Sequence, residues 1–245
     1  MIDAHAHLDA LEDPEAAIRR AAEAGVTRIL TVGTTIEGGR VALDLAGRHE
    51  GVFAILGIHP HEADAEGDRI DELAELLADP LAVAVGETGL DFYRDRAPRD
   101  RQRTVLDAEL ALAAELGKPV VIHSRAADAE TADALASFGG TVVLHCFSSV
   151  ALLPVALERG YFVSFAGNLS FPNAAALRLA ATQVPADRIL VETDSPYLAP
   201  QPVRGRPNEP ANVVHTLAAL AAARGDDPSE LEAQIDANAN AAFGL

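Results

Sequence analysis

Eight short apolar runs, regularly spaced and separated by helix-like stretches, constrain the fold of this chain more than any other feature. They fall near residues 2–7, 27–33, 52–58, 81–86, 118–123, 141–145, 161–165 and 188–193. Their mostly β-branched or small side chains read as strands buried on both faces of a parallel sheet. Between them lie Ala/Leu/Glu/Arg-rich segments with helical spacing at 14–24, 37–48, 68–78, 98–116, 126–137, 148–159 and 173–182. Two more, at 210–223 and 228–242, finish the chain. Asp13-Pro14 opens the first helix, Ala24-Gly25 closes it, and Leu116-Gly117 closes the fourth. Strict β/α alternation over 245 residues predicts a (β/α)8 barrel or a doubly wound sheet.

The ends of the runs decide between the two. His5 and His7 close the first run, Glu87 the fourth, His123 the fifth, His145 the sixth and Asp194 the eighth. Residues from strands one, four, five, six and eight converge only if the sheet closes into a ring. The chain is therefore read as a single-domain TIM barrel over residues 1–245. Imidazoles and carboxylates gathered at one point are a metal site. Four histidines, one Glu and one Asp exceed what a single ion with an open position needs, so two divalent ions (Mg, Mn or Zn) are expected. Strand alternation puts His5 and His7 on one face. Glu87 and Asp194 interrupt apolar runs, where a charge must be metal-bound or paired, the plainer alternative being an ion pair with arginine.

Most histidines in proteins are ordinary core or surface residues, and His49 and His215, within helical stretches, are read that way. Lys118 is the only lysine. It precedes a strand start, the wrong barrel face for a carboxylated-lysine bridge, so Glu87 is the candidate bridging ligand.

Bulk properties exclude several classes. Formal charge is −18, with a pI near 4.7, which argues against a non-specific nucleic-acid coat protein but not against a nucleic-acid enzyme. Cys146 is the single cysteine, so no internal disulfide forms and a cytoplasmic setting is expected. Met1 runs straight into IDAHAHL without a signal-peptide pattern, and no run of ~20 apolar residues suggests a membrane span. A monomer is the default expectation.

Arginines cluster where a phosphate would be met. Arg94, Arg96, Arg99, Arg101 and Arg103 hold five of the nineteen basic residues directly after the Glu87 loop. They read either as a solvated helix start with Asp95 and Asp100 interleaved, or as a positive funnel. Arg125 lies two residues past His123, and Arg206 and Asn208 lie in the long loop after the eighth strand, where barrels often hold phosphate. The forked donors of arginine suit that ligand. Phe92 and Tyr93 offer a stacking face for a base, or simple loop packing. Cys146 is read as a buried small residue rather than a nucleophile.

The segments DAHAHLD (3–9), GIHPH (57–61), GETGLDFYR (86–94), IHSR (122–125), HCF (145–147), ETDSPYLAP (192–200) and RGRPNEP (204–210) occur in the order found in the TatD family of metal-dependent deoxyribonucleases. The chain resembles that family over nearly its whole length. The resemblance implies an amidohydrolase-like barrel with a two-metal phosphodiesterase site. It implies that His5, His7 and Asp194 hold one metal, that His123 and His145 hold the other, and that Glu87 touches both. It places His59 near the substrate. Val203 departs from the family, many members having His there. The expected activity is a 3′–5′ exonuclease on single-stranded DNA ends, using a metal-activated water whose proton goes to Asp194. An amide or ester hydrolase of the same superfamily, for example an aminoacyl-tRNA deacylase, would keep the same ligands. A non-catalytic metal-binding protein is disfavoured because all six ligands are present.

Overall fold

β-Branched and small apolar side chains favour a pleated backbone covered on both faces, and all eight runs form strands. In the structure, a computed structural model describing residues 1–245, these are β1 (Ile2–Ala6), β2 (Arg28–Gly33), β3 (Val52–Leu56), β4 (Ala82–Asp91), β5 (Val120–Arg125), β6 (Val142–Leu144), β7 (Phe162–Phe165) and β8 (Ile189–Val191). They follow chain order in one eight-stranded sheet, with parallel pairing in β1–β2, β3–β4, β4–β5, β5–β6 and β7–β8. A parallel bridge from Ala6 to Ser195 joins the end of β1 to the chain just after β8. The fold is the (β/α)8 barrel.

The helices are α1 (Pro14–Glu23), α2 (Ile36–Arg48), α3 (Ala63–Glu66), α4 (Ile70–Leu77), α5 (Arg99–Leu116), α6 (Asp128–Ala134), α7 (Leu153–Arg159), α8 (Ala175–Gln183), α9 (Val213–Arg224) and α10 (Pro228–Phe243). Their caps follow the sequence. The Asp13 carboxylate accepts the Ala16 N–H at 2.9 Å, with Pro14 in the first turn, and Thr35 and Asp227 cap α2 and α10 the same way. His49 caps the C-terminus of α2, and His215 lies within α9. The short α3 had no sequence signal. No helix is long and apolar enough to cross a membrane.

One strand departs from the sequence pattern. The apolar run predicts an end at residue 86, yet β4 continues through Asp91. Gly89 pairs with His123 of β5; its φ is +142°, and a Cβ there would lie 1.9 Å from the His123 carbonyl oxygen. Only glycine permits this approach, so the segment expected as the Glu87 loop is strand.

The chain gathers into two compact units, Met1–Thr31 with His145–Leu245, and Val32–Leu144. In the first, Ile2, Leu30, Phe165, Leu190, Leu220 and Ile235 are buried. Asn238 of α10 donates to the carbonyls of Ala186 and Ile189 at 2.8 and 2.7 Å, tying the last helix to β8. Asp3, fully buried, accepts the Thr193 N–H at 2.8 Å and its hydroxyl at 2.6 Å. In the second unit, Ile55, Leu56, Val85, Leu106 and Val121 are buried. Glu109 of α5 reaches in among them, accepting the Ile58 N–H at 2.8 Å and the Thr88 hydroxyl. These two carboxyls brace the residues beside the candidate ligands: Thr193 next to Asp194, Ile58 next to His59, and Thr88 next to Glu87.

Burial pushes the Glu109 carboxyl up to about 8, only partly offset by its two hydrogen bonds. The folded protein thus holds a proton there that the unfolded chain releases above its ordinary carboxyl pKa of 4.5. This contribution to stability is full below that value and is lost as pH rises towards 8. Glu109→Gln keeps the hydrogen-bonding shape without the titration. Its melting temperature relative to the parent protein is expected to climb between pH 5 and 8, read by thermal unfolding at each pH.

Candidate metal centre

The two units each contribute a cluster of imidazoles and carboxylates at strand ends. In the first, His5 lies in β1 and His7 just beyond it, their ring centroids 5.1 Å apart. Backbone bonds interlock this tip with the segment after β8: Asp194 N–H donates to the His5 carbonyl at 2.9 Å, and His7 N–H to that of Ser195 at 2.8 Å. The Asp194 carboxylate then stands 3.4 Å from His7 Nε2. Its backbone is left-handed (φ +54°), a conformation that aspartate tolerates better than most residues. The ligand atoms of His5, His7 and Asp194 all lie within 4.8 Å of one another. Burial pushes the Asp194 carboxyl up, but the His7 contact and the neighbouring imidazoles outweigh it and hold the group below the usual carboxylate range.

His145 belongs to the same unit, stacked on His5 with centroids 4.0 Å apart. Its Nδ1 is 3.2 Å from Glu192, whose same oxygen accepts the Cys146 N–H at 2.7 Å. Glu192 thereby fixes the ring as outer carboxylates do for metal-ligating histidines. Cys146, expected to be buried, is half-buried with φ +44°, because the chain turns sharply there to meet Glu192.

In the second unit, Glu87 of β4 is 2.7 Å from His123 Nδ1 and 3.5 Å from His59 Nε2. The ligand atoms of His59, Glu87 and His123 also lie within 4.8 Å of one another. The two histidines differ in chemistry. His59 Nδ1 accepts the His61 N–H at 3.1 Å, so the neutral ring carries its proton on Nε2 and points it at Glu87. Burial holds His59 down to about 4 against the pull of Glu87, so the ring is neutral. His123 has carboxylate oxygens at both nitrogens, Glu87 at Nδ1 and Asp91 at Nε2, the latter at 3.3 Å. A neutral imidazole has one N–H, so one of these contacts calls for a second proton or a cation. With Nε2–H donated to Asp91, the Nδ1 lone pair and Glu87 together make a cation-binding edge. The donor set thus fits divalent ions.

The residues expected to meet substrate are distributed unevenly. Arg125 ends β5, its guanidinium 4.1 Å from the ring centre of Tyr93, which is 64% exposed. Arg206 is exposed on the loop after β8. Asn208, in contrast, is buried. Its Nδ2 donates to the carbonyls of Thr193 and Tyr197, and its Oδ1 accepts from Glu209 N–H and Asn212. Asn208 therefore braces its own loop and has no polar atom to offer a ligand. Within the arginine cluster, Arg99 pairs with Asp95, Arg101 with Asp68, and Arg103 with Asp107 and Asp133. Arg94 and Arg96 make no such pair, so the solvated-helix reading holds for three of the five.

Sequence reasoning missed Asp91, Glu192, Asp3 and Glu109, and it placed His61 at a strand end without assigning it a role. Asp91 shares a strand face with Glu87, the same period-two rule that joined His5 to His7. Glu192 and Asp3 are charges inside apolar runs, the signal that singled out Glu87. Glu109 sits at helical spacing from the buried Gln102, Val105 and Leu112, a weaker mark among many glutamates.

Gly89→Ala is expected to lower the unfolding free energy by at least about 2 kcal/mol, combining strained backbone with a steric clash, as measured by urea denaturation.

The sequence profile of the family described as TatD related DNase matches residues 2–244. A Mycobacterium tuberculosis protein named uncharacterized metal-dependent hydrolase TatD is 40% identical over 259 aligned residues, covering 100% of this chain and 98% of its own. A Klebsiella pneumoniae protein named 3′-5′ ssDNA/RNA exonuclease TatD is 36% identical, covering 95% and 92%. Among solved structures, the TatD homolog YJJV from Escherichia coli K12 superposes with a TM-score of 0.95 at 31% identity, over 100% of this chain and 98% of that one.

Proposed function

The chain belongs to the TatD-related DNase family of metal-dependent hydrolases, and we propose that it removes nucleotides from the 3′ ends of single-stranded DNA, with residues 1–245 acting as one catalytic domain. The observation that carries this reading is where arginines lack a carboxylate. On the helices, Arg40 pairs with Glu37, Arg48 with Asp44 and Arg69 with Glu72, while Arg19 of α1 makes no ion pair. Arg94, Arg96, Arg125, Arg204 and Arg206 make no ion pair, and all are exposed at the ends of β4, β5 and β8 or on the loops that follow. On a chain with 37 acidic and 19 basic residues, cations left unpaired beside a metal-ligand cluster suit a phosphate-bearing polymer. The name of the Klebsiella pneumoniae relative points the same way.

In this reading His5, His7 and Asp194 would hold one divalent cation and His123 and His145 the other, with Glu87 contributing to both sets. When bound, the cations supply an activated water and offset charge on the leaving oxygen. Asp194, kept ionised by its imidazole neighbours, takes the water's proton. His59 donates Nε2–H to Glu87 and holds it in place. Arg125 and Arg206 grip phosphate oxygens with forked donors, and Tyr93, backed by Arg125, stacks on a base. The imidazole-rich set favours zinc or manganese over magnesium by ligand softness.

The test uses protein stripped of metal and reloaded separately with magnesium, manganese or zinc, then mixed with 5′-labelled single-stranded DNA. A ladder shortening from the 3′ end is expected, dependent on metal and abolished in Glu87→Ala. Intact DNA with every metal bound would overturn the reading in favour of acyl or amide substrates such as aminoacyl-tRNA.

Asp194→Asn, assayed at saturating metal with occupancy checked by metal analysis, is expected to lose about 10²–10⁴-fold in turnover, the usual worth of a positioned base. Normal turnover would remove Asp194 from that role.

A further inference from the structure

Asp91 lies at the tip of β4, and its two carboxylate oxygens face different tasks. It stands on the same strand face as Glu87, with Gly89 between them drawing the β5 backbone close. Oδ2 takes the imidazoles: His61 Nε2 at 2.8 Å and His123 Nε2 at 3.3 Å. Oδ1 takes the backbone: Tyr93 N–H at 3.0 Å and Arg94 N–H at 2.8 Å. This is an aspartate-closed turn. The turn places Tyr93 under the Arg125 guanidinium, while Phe92 N–H donates to the Arg125 carbonyl at 2.9 Å. The main chain of Asp91 is anchored in turn by α5. Its N–H donates to Gln102 Oε1 at 2.9 Å, and Gln102 Nε2 reaches the Ala97 carbonyl at 2.9 Å. Asp91 and Gln102 are both buried, so water does not compete for these bonds.

We propose that Asp91 is a positioning residue shared by the cation site and the substrate loop. Through Oδ2 it fixes the His123 proton on Nε2, leaving the Nδ1 lone pair beside Glu87 for a cation. Through Oδ1 it builds the turn that presents Tyr93 and Arg94. The part of this inference concerning nucleic acid rests on the proposed function; the cation and turn parts do not.

Asparagine separates the two tasks. In Asp91→Asn the amide oxygen still accepts the Tyr93 and Arg94 N–H groups, but its NH₂ faces the imidazoles as a donor. His123 is then driven to the other tautomer, with its proton on Nδ1 and pointing at Glu87. Asp91→Ala removes both supports. The experiment titrates Mn²⁺ into metal-stripped parent, Asp91→Asn and Asp91→Ala proteins, following free Mn²⁺ by electron paramagnetic resonance. In parallel it measures amide hydrogen exchange across residues 92–96.

Asp91→Asn is expected to weaken Mn²⁺ binding about ten- to hundredfold, as loss of an outer carboxylate does at other metal sites, with Tyr93 and Arg94 exchange unchanged. Asp91→Ala is expected to weaken Mn²⁺ binding similarly and to speed exchange of those two amides at least about tenfold through local opening. Parent-like Mn²⁺ affinity in Asp91→Asn would overturn the cation role. Unchanged exchange in Asp91→Ala would overturn the turn role. Should Asp91→Ala fail to fold, Gln102→Ala, which unhooks the Asp91 main chain while keeping its carboxylate, replaces it with the same exchange expectation. None of these readouts uses DNA cleavage. A parent protein that binds Mn²⁺ but leaves DNA intact would therefore count against the proposed substrate while these arms still decide the role of Asp91.

Discussion

The close approach of β4 and β5 at Gly89 is the contact on which the second cluster depends. A side chain at that position would collide with the His123 carbonyl, and the two strands would part at the point where ligands must meet. With glycine there, β4 runs on to Asp91 and sets Glu87 and Asp91 on one face. His123 is held between them, with a carboxylate oxygen at each ring nitrogen. An imidazole so placed is an incomplete arrangement by itself, since one N–H cannot serve two carboxylates. That deficiency of positive charge is the physical content of the statement that the site fits a cation.

A second tier of buried groups holds the first in position. Asp3 bonds the residue beside Asp194, Glu109 bonds the residues beside His59 and Glu87, and Glu192 bonds His145 and Cys146. These supports act largely through backbone N–H groups and hydroxyls, so they set where the ligands start without competing for the cation. Burial keeps Asp3 and Glu109 protonated up to about 8, which spares the interior two negative charges close to the ligand carboxylates. Removing solvent from such a network strengthens each bond in it and makes any broken one costly.

Charge is divided by location. Several helix arginines, Arg20, Arg40, Arg69 and Arg103 among them, are matched to nearby carboxylates, pairs that contribute little to stability at an exposed surface but neutralise one another locally. The loops at the strand ends carry arginines that face no carboxylate, several over aromatic rings: Arg125 and Arg94 on Tyr93, and Arg204 on Phe171. Loop arginines after β4, β5 and β8 thus keep their positive charge unmatched by a carboxylate on a strongly acidic chain.

Periodicity is legible in the chain before it folds, and with it most of the fold. Eight β-branched runs separated by capped helical stretches lead to eight strands in chain order, and strand alternation with buried charge marks His5, His7, Glu87, His123, His145 and Asp194. These are local properties, readable because a strand has period two and a helix has cap chemistry. Tertiary structure alone decided what each polar group faces. Asn208 looked like a ligand for substrate and turned inward, because its loop has carbonyls that nothing else satisfies. Three arginines of the basic cluster met aspartates, two of them as much as 30 and 33 residues away. His59 and His123, both beside Glu87, meet different partners at the second ring nitrogen, one accepting a backbone N–H and the other facing a second carboxylate. Such partners come from distant segments of chain, and a hydrogen bond's direction is fixed only when both of its ends are in place.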